Sequence, residues 1–360
     1  MSDRVERVRA ILAARSLPAI LISSAENRRY LSGFTGSAGH LLITPTEAVL
    51  LTDFRYVEQA AEEAPHFVVR KLENGLLKEL PALKSDFGLT QLGFEAGALT
   101  YLQWEQLQAA AAEAGIELVP TKEIVEPVRM IKDREELNAI ERAVAIADAA
   151  VEAVAAWLRP GVTELEVAWE LEKRMREAGA EGLAFSVIVG SGARGALPHA
   201  QPTRKRIEAG EPIVLDLGCI VDGYRSDLTR TFCLGEPDPY YLEIYDIVLR
   251  AQQAAEAGIR PGMKGGEADK IARDLIAEAG YGDQFGHSLG HGIGLQTHEG
   301  PLVRRESEDV LQPGMVFSVE PGIYLPGKFG VRIEDLVVLE EEGVRVLSKA
   351  PKEPAIRRRG

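Results

Sequence analysis

Apolar positions along this chain alternate between a helical and a strand rhythm. Val5, Val8, Ile11 and Leu12 share one face at helical spacing. The run PAILIS at 18–23 then reads as a short apolar strand, and HLLIT and AVLLTDF as two more. TDFRYVEQAAEEA leads into a helix and HFVVRKL returns to strand. TYLQWEQLQAAAAEAG is a helix closed by Gly115. The alternation predicts a small α/β domain over about the first 125 residues.

A connecting segment with Pro120 and Pro127 follows, VPTKEIVEPVRMIKD. The longest helical pattern runs from Asp133 to Leu158 and stops at Arg159-Pro160-Gly161. Thr163 and Glu166 are spaced as a capping box for the next helix, which ends near Gly179. Residues 184–236 read as strands, 238–280 as two helices, and 280–300 as a glycine-rich loop. VFSVEPGIY and VRIEDLVVL are the last two strands. The second domain is therefore expected to be α+β, with strands meeting as hairpins. Because 360 residues are many for one core, the expected division is 1–127 and 128–360.

Bulk properties narrow the function. The net charge of -14 argues against a nucleic-acid or anionic-membrane partner. Arg357-Arg358-Arg359 is a basic cluster that reads as a solvated end. No apolar run reaches the length of a membrane span, and the charged N-terminus does not resemble a secretory signal. Cys219 and Cys233 lie in strand-like runs without a C-x-x-C, so two buried thiols in a reducing cytoplasm are expected.

The chemistry is concentrated in four carboxylates inside apolar strands. Asp216 sits between Leu215 and Leu217, where an unpaired carboxylate is costly to bury. Val221-Asp222-Gly223 is a hairpin-turn signal. A turn centred there sets Asp216 opposite about Thr229, with Asp227 as its diagonal neighbour on the same face. Glu320, in VFSVEPG, and Glu334, in GVRIEDL, flank Pro326-Gly327-Lys328. A hairpin folded at 327 would set them across from each other. Two such pairs call for a shared cation. Oxygen donors with one imidazole suit Mn, Co, Fe or Zn, and four carboxylates balance two divalent ions.

Three of the six histidines, His287, His291 and His298, fall in GHSLGHGIGLQTHE. The i, i+4 spacing of His287 and His291 does not mark a helix, because Gly286, Gly290, Gly292 and Gly294 would each cost about 1 kcal/mol there. A loop or strand edge is expected, with one histidine as the nitrogen ligand and the others open between structural and catalytic roles.

Five segments together resemble the pita-bread metallopeptidases, a family that includes methionine aminopeptidase, proline dipeptidase and aminopeptidase P. They are SGARGALPHA, IVLDLGCIVDGYRSDLTRTF, FGHSLGHGIGLQTHEGP, PGMVFSVEPGIY and GVRIEDLVVL. NRRYLSGFTGSAG and LLTDFRY resemble the N-terminal domain of the two-domain branch, which methionine aminopeptidases lack. The resemblance implies a C-terminal pita-bread fold with a smaller N-terminal α/β creatinase-type domain. That smaller domain would serve oligomerisation and cover the active site.

The same resemblance implies five metal ligands. Asp216 would chelate one ion, Asp227 and Glu334 would bridge both, and His291 and Glu320 would bind the other. Two divalent ions, manganese first, are the implied cofactors. Glu320 is the expected base, and His298 and His199 are the expected catalytic histidines contacting substrate. His287 would support the ligands, and Arg332 would orient Glu334. The implied substrates are peptides with proline at the second position, and the implied assembly is a homodimer. Proline dipeptidases often carry arginine just after the H-E-x-P motif, where this chain has Leu302. That departure favours Xaa-Pro aminopeptidase over Xaa-Pro dipeptidase, although Arg304 or Arg305 offers a replacement. A metal-free creatinase-like hydrolase or a binding protein that has lost its ligands is the remote alternative.

Overall fold

The computed structural model describes residues 2–356, so the Arg357-Arg358-Arg359 cluster lies outside the described residues. The chain divides after Arg129 into two compact units.

The first unit is built on a six-stranded sheet. Its spatial order is Val68–Lys71, Ala48–Thr52, His40–Ile43, Ile20–Ile22, Gln91–Glu95 and Glu117–Thr121. The three strands at one end of the sequence meet antiparallel, and the outer pairings are parallel. Parallel neighbours need crossovers, which helices Val57–Glu63 and Tyr101–Ala114 provide. The latter has a capping box of Thr100 with Gln103 and ends on Gly115 in the left-handed region at φ 68. The α/β expectation holds. It omitted the helices Ala25–Ser32 and Leu76–Phe87 and the strands Gln91–Glu95 and Glu117–Thr121, the last overlapping the expected connecting segment. Gln91–Glu95 escaped because it is short and interrupted by Gly93, whose missing side chain makes room for Leu17.

The second unit has two helix pairs, each packed on strands. Arg134–Trp157 and Glu164–Glu177 share a core with Pro212–Leu217 and Leu228–Leu234. Pro239–Gly258 and Gly265–Glu278 share a core with Val316–Val319, Gly322–Leu325, Phe329–Arg332 and Asp335–Glu340. This is the α+β, pita-bread arrangement. The expected Thr163–Glu166 capping box is present, and a second, Asp133 with Glu136, starts the long helix.

Both expected hairpins form. Asp216 pairs with Thr229 in the ladder of Pro212–Leu217 with Leu228–Leu234. The turn uses Asp222 and Gly223, both at positive φ (49 and 79). In the second hairpin Leu325 pairs with Phe329, centring the turn on Gly327. VFSVEPGIY is not one strand, however. It breaks into Val316–Val319 and Gly322–Leu325, and the return strand breaks between Arg332 and Asp335. The register carries across the gap, since Val319 pairs with Asp335 and Gly322 with Arg332. Glu320 and Glu334 lie in the gap. Pro321 lacks an amide hydrogen and cannot donate to the ladder, so the sheet bends where the two glutamates turn inward.

Candidate metal centre

Side chains from separate strands converge on a cavity of about 530 Å³. Asp216, Asp227, His291, Glu320 and Glu334 all line it, and so do His199, His287, His298 and Arg332. Asp227, His291 and Glu334 each offer a donor atom within 4.8 Å of the others. His291 Nε2 lies 3.6 Å from Asp227 Oδ2 and 3.4 Å from Glu320 Oε1.

Each ligand candidate is aimed by its neighbours. His291 Nδ1 donates to the Gly292 carbonyl at 3.1 Å, which leaves the Nε2 lone pair facing the carboxylates. Its backbone N–H donates to Ser318 Oγ, and that hydroxyl donates to Glu320 Oε1 at 3.0 Å. One serine thus orients two ligands from different strands. Gly290 is required beside them, because a Cβ there would sit 1.9 Å from the Ser318 carbonyl oxygen. Thr229 donates to Glu334 Oε2 at 2.7 Å, and its carbonyl accepts from the Glu334 N–H.

Arg332 corrects an expectation. It was expected to orient Glu334, but its guanidinium donates to Asp216 Oδ2 at 2.6 Å. It also donates to Tyr324 Oη at 2.7 Å and to Thr229 Oγ1 at 3.1 Å. Its hydrogen-bonded link to Glu334 runs through the Thr229 hydroxyl. The strand break between 332 and 334 separates their directions, so the long side chain reaches Asp216 on another sheet. The Tyr324 hydroxyl accepts from Arg332 and is 2.9 Å from His287 Nε2, while His287 Nδ1 meets the Ser288 carbonyl. His287 is thereby held as a supporting neutral ring. Arg332 also reaches the Pro198 carbonyl at 3.3 Å, beside His199.

The electrostatics fit cations. Burial pushes Asp227 well above the usual carboxylate range, and the charges of Glu334, Asp216 and Glu320 add to it. Burial likewise raises Glu334, helped by Glu320 and Asp216. Asp216 and Glu320 are raised by burial as well. Burial lowers His291, so it stays neutral as a ligand must. Asp216 Oδ1 is buried with no hydrogen-bond partner among the described residues. An orphaned carboxylate oxygen beside three further carboxylates and one imidazole lone pair is the donor set of a divalent-cation site.

His298 and His199 sit at the exposed edge of the cavity. The His298 ring stands 4.2 Å from that of His291, centroid to centroid, and burial lowers its pKa. Several supporting residues were not legible from sequence. Lys132 forms an almost fully buried ion pair with Glu299 at 2.8 Å, next to His298. Asp269 accepts from the Leu289 N–H and from Arg273, which in turn holds the His287 carbonyl. Only the i, i+4 spacing of Asp269 and Arg273 on one helix hinted at this pair.

The Creatinase/Prolidase N-terminal domain matches residues 4–131, and Metallopeptidase family M24 matches residues 138–341. The chain belongs to metallopeptidase family M24. Relatives of this M24 enzyme span its full length. It is 40% identical to the Xaa-Pro dipeptidase of Pyrococcus horikoshii, over 98% of this chain and 99% of that one. The solved Xaa-Pro dipeptidase from Bacillus anthracis matches with a TM-score of 0.96 at 44% identity, covering 99% of both chains. The X-Pro aminopeptidase from Thermotoga maritima matches at 0.88 and 39% identity, covering 94% of this chain and 97% of that one. M24 membership makes the protein a metallopeptidase that uses divalent metal. Among the described residues, no helix is long and apolar enough to cross a membrane.

Proposed function

We propose that this M24 metallopeptidase hydrolyses the bond between an N-terminal residue and a following proline. The observation that supports the reading most is the cluster of buried carboxylates around one neutral imidazole, facing a cavity rimmed by two further histidines. In this reading Asp216, Asp227, His291, Glu320 and Glu334 would hold two divalent cations. Manganese is the proposed ion, and the donor set also suits Co, Fe or Zn. Bound cations would lower the pKa of a water and polarise the scissile carbonyl.

The chain's own groups do the rest. Glu320, with Ser318 donating to one oxygen, takes the proton of the attacking water through the other and delivers it to the proline nitrogen. That nitrogen carries no hydrogen in the intact bond, so it leaves as an amine only after protonation. His298 stabilises the developing oxyanion, and His199 holds the imide side of the substrate. Arg332 aligns Asp216 and opposes the rise that burial imposes on it.

Release of one residue from longer peptides, the Xaa-Pro aminopeptidase reading, is supported by Leu302. It stands on the cavity wall with 37% of its surface exposed and offers no charge to a dipeptide carboxylate. Arg304, on the same wall, favours a second reading, Xaa-Pro dipeptidase, which agrees with the names of the Pyrococcus and Bacillus relatives. A homodimer with the first domain as an active-site cover belongs to the same proposal. So does a cytoplasmic setting, which suits the free buried Cys219 and Cys233.

The test is hydrolysis of Ala-Pro and Ala-Pro-Pro by chelator-stripped protein refilled with Mn. Preference for the tripeptide supports the aminopeptidase, and preference for Ala-Pro the dipeptidase. Turnover of neither by protein shown to hold two ions overturns the Xaa-Pro reading.

A further inference from the structure

The helix Glu164–Glu177 begins with an acid that faces inward. Thr163 and Glu166 form the capping box on its solvent side, but Glu164 between them is fully buried. A buried carboxylate is stable only where donors surround it. Here the donors come from one loop. Oε1 accepts from the Ser191 N–H at 3.0 Å and from the Ser191 hydroxyl at 2.9 Å. Oε2 accepts from the Thr203 N–H at 3.0 Å and from the Thr203 hydroxyl at 2.7 Å. Arg194 Nε donates to both oxygens, at 3.2 and 3.0 Å.

Ser191 and Thr203 are the two ends of that loop, and His199 lies between them. The helix main chain holds the same place. Its first N–H groups have no carbonyl within the helix to meet. Glu164 N–H donates instead to the Lys205 carbonyl and Leu165 N–H to the Thr203 carbonyl, each at 3.1 Å. Arg194 braces the loop from inside by donating also to the Gln201 carbonyl. On its inner side the loop rests on the hairpin of Gly322–Leu325 with Phe329–Arg332. A Cβ on Gly330 would sit 2.1 Å from the Gly195 carbonyl oxygen, and Arg332 donates to the Pro198 carbonyl at 3.3 Å. Pro198, His199 and Gln201 are the residues the loop presents to the metal-centre cavity. His199 is exposed there, so its place is set by the backbone that carries it.

We infer that Glu164 is a positioning residue for His199. It closes the loop 191–203 as a clasp, so that rigid backbone delivers the imidazole to the substrate. Glu164 is not among the residues that line the cavity and acts only through the loop. The inference rests on the reading that His199 holds the imide side of a proline peptide, and it adds to that reading the residue that aims the histidine.

The test is a double-mutant cycle on full-length, Mn-loaded protein, with whichever of Ala-Pro and Ala-Pro-Pro the wild type turns over faster. Glu164→Gln should lower kcat/KM about tenfold or more, chiefly through KM, because a misplaced contact is lost from ground state and transition state alike. In a His199→Ala background the same substitution should change kcat/KM by less than about twofold. Metal content by mass spectrometry should stay at the wild-type level throughout. Equal losses in the two backgrounds, or a loss that follows departure of metal, overturn the inference, since general damage to the domain does not depend on His199. Should Glu164→Gln fail to fold, Thr203→Val removes a single donor and should give the same pattern at smaller size, with Thr203→Ser restoring turnover; wild-type kinetics in Thr203→Val overturn the inference. Hydrogen–deuterium exchange supplies a readout that needs no turnover, and either substitution should raise exchange selectively across 192–202. Wild-type protein that cleaves neither peptide discards the Xaa-Pro reading. A selective rise in exchange then keeps Glu164 as the clasp of the His199 loop, and unchanged exchange discards it.

Discussion

Chelator-stripped protein titrated with Mn is expected to release protons as it fills, and its affinity for Mn to fall as pH falls. Asp227 and Glu334 are the sources. Both are buried, both are raised well above the usual carboxylate range by burial and by each other's neighbourhood, and cation binding requires both ionised. Each proton released is worth about 1.4 kcal/mol per pH unit, a tenfold fall in affinity for each unit of acidification. Stability carries the same linkage with opposite sign for the stripped protein. A folded pKa raised above the unfolded value of about 4 contributes stability below that value and loses it as pH rises toward the folded pKa. The stripped protein should therefore lose stability as pH rises above about 4 toward the folded pKa values, and the filled protein should not. Calorimetry in two buffers of different ionisation heat counts the protons, and melting curves from pH 5 to 8 read the stability. Cation binding with no proton release, together with a stripped protein whose stability is flat or rises with pH, would refute the electrostatic account of the cluster.

Other expectations are equally direct. Glu320→Gln should abolish turnover of a proline peptide while retaining much of the bound metal by mass spectrometry; intact turnover would remove Glu320 as the base. Lys132→Met, which strips the buried cation from Glu299, should destabilise by about 3–5 kcal/mol and lower turnover through the adjoining His298, with Glu299→Gln recovering part of the stability in a double-mutant cycle. Gly290→Ala should force its strand away from Ser318, costing about 3 kcal/mol and weakening metal binding through His291. Glu256 is pushed up to about 8 by burial and the charge of Asp335. Its contribution is present below about pH 4.3 and fades as pH rises toward 8, so Glu256→Gln should gain stability relative to wild type across that window in pH-dependent melts.

Hairpin geometry was readable before any coordinates. The turn at Asp222-Gly223 sets Thr229 against Asp216 because strand pairing counts outward from a tight turn. The same counting from Gly327 sets 320 against 334, and it survives the break at Pro321 because Val319 and Asp335 keep the register. The Thr163–Glu166 box is equally local. The strand Gln91–Glu95, the split of VFSVEPGIY and the partner of Arg332 were not readable. The first carries too weak an apolar period, the second depends on how two sheets meet, and the third spans 116 positions of chain.

Sequence by itself determined most of the elements, the two hairpin registers, the carboxylates set among apolar neighbours and a glycine-rich stretch too flexible for helix. All of these are set by interactions over a few residues, where propensity, periodicity and turn chemistry act directly. Tertiary structure alone decided that two hairpins and the His291 strand face one cavity, and that Ser318 serves both His291 and Glu320. It also decided that Arg332 serves Asp216. Those outcomes depend on how separately formed layers pack, and side-chain direction across a packed interface is set by burial and hydrogen-bond completion over the whole domain rather than by any local pattern.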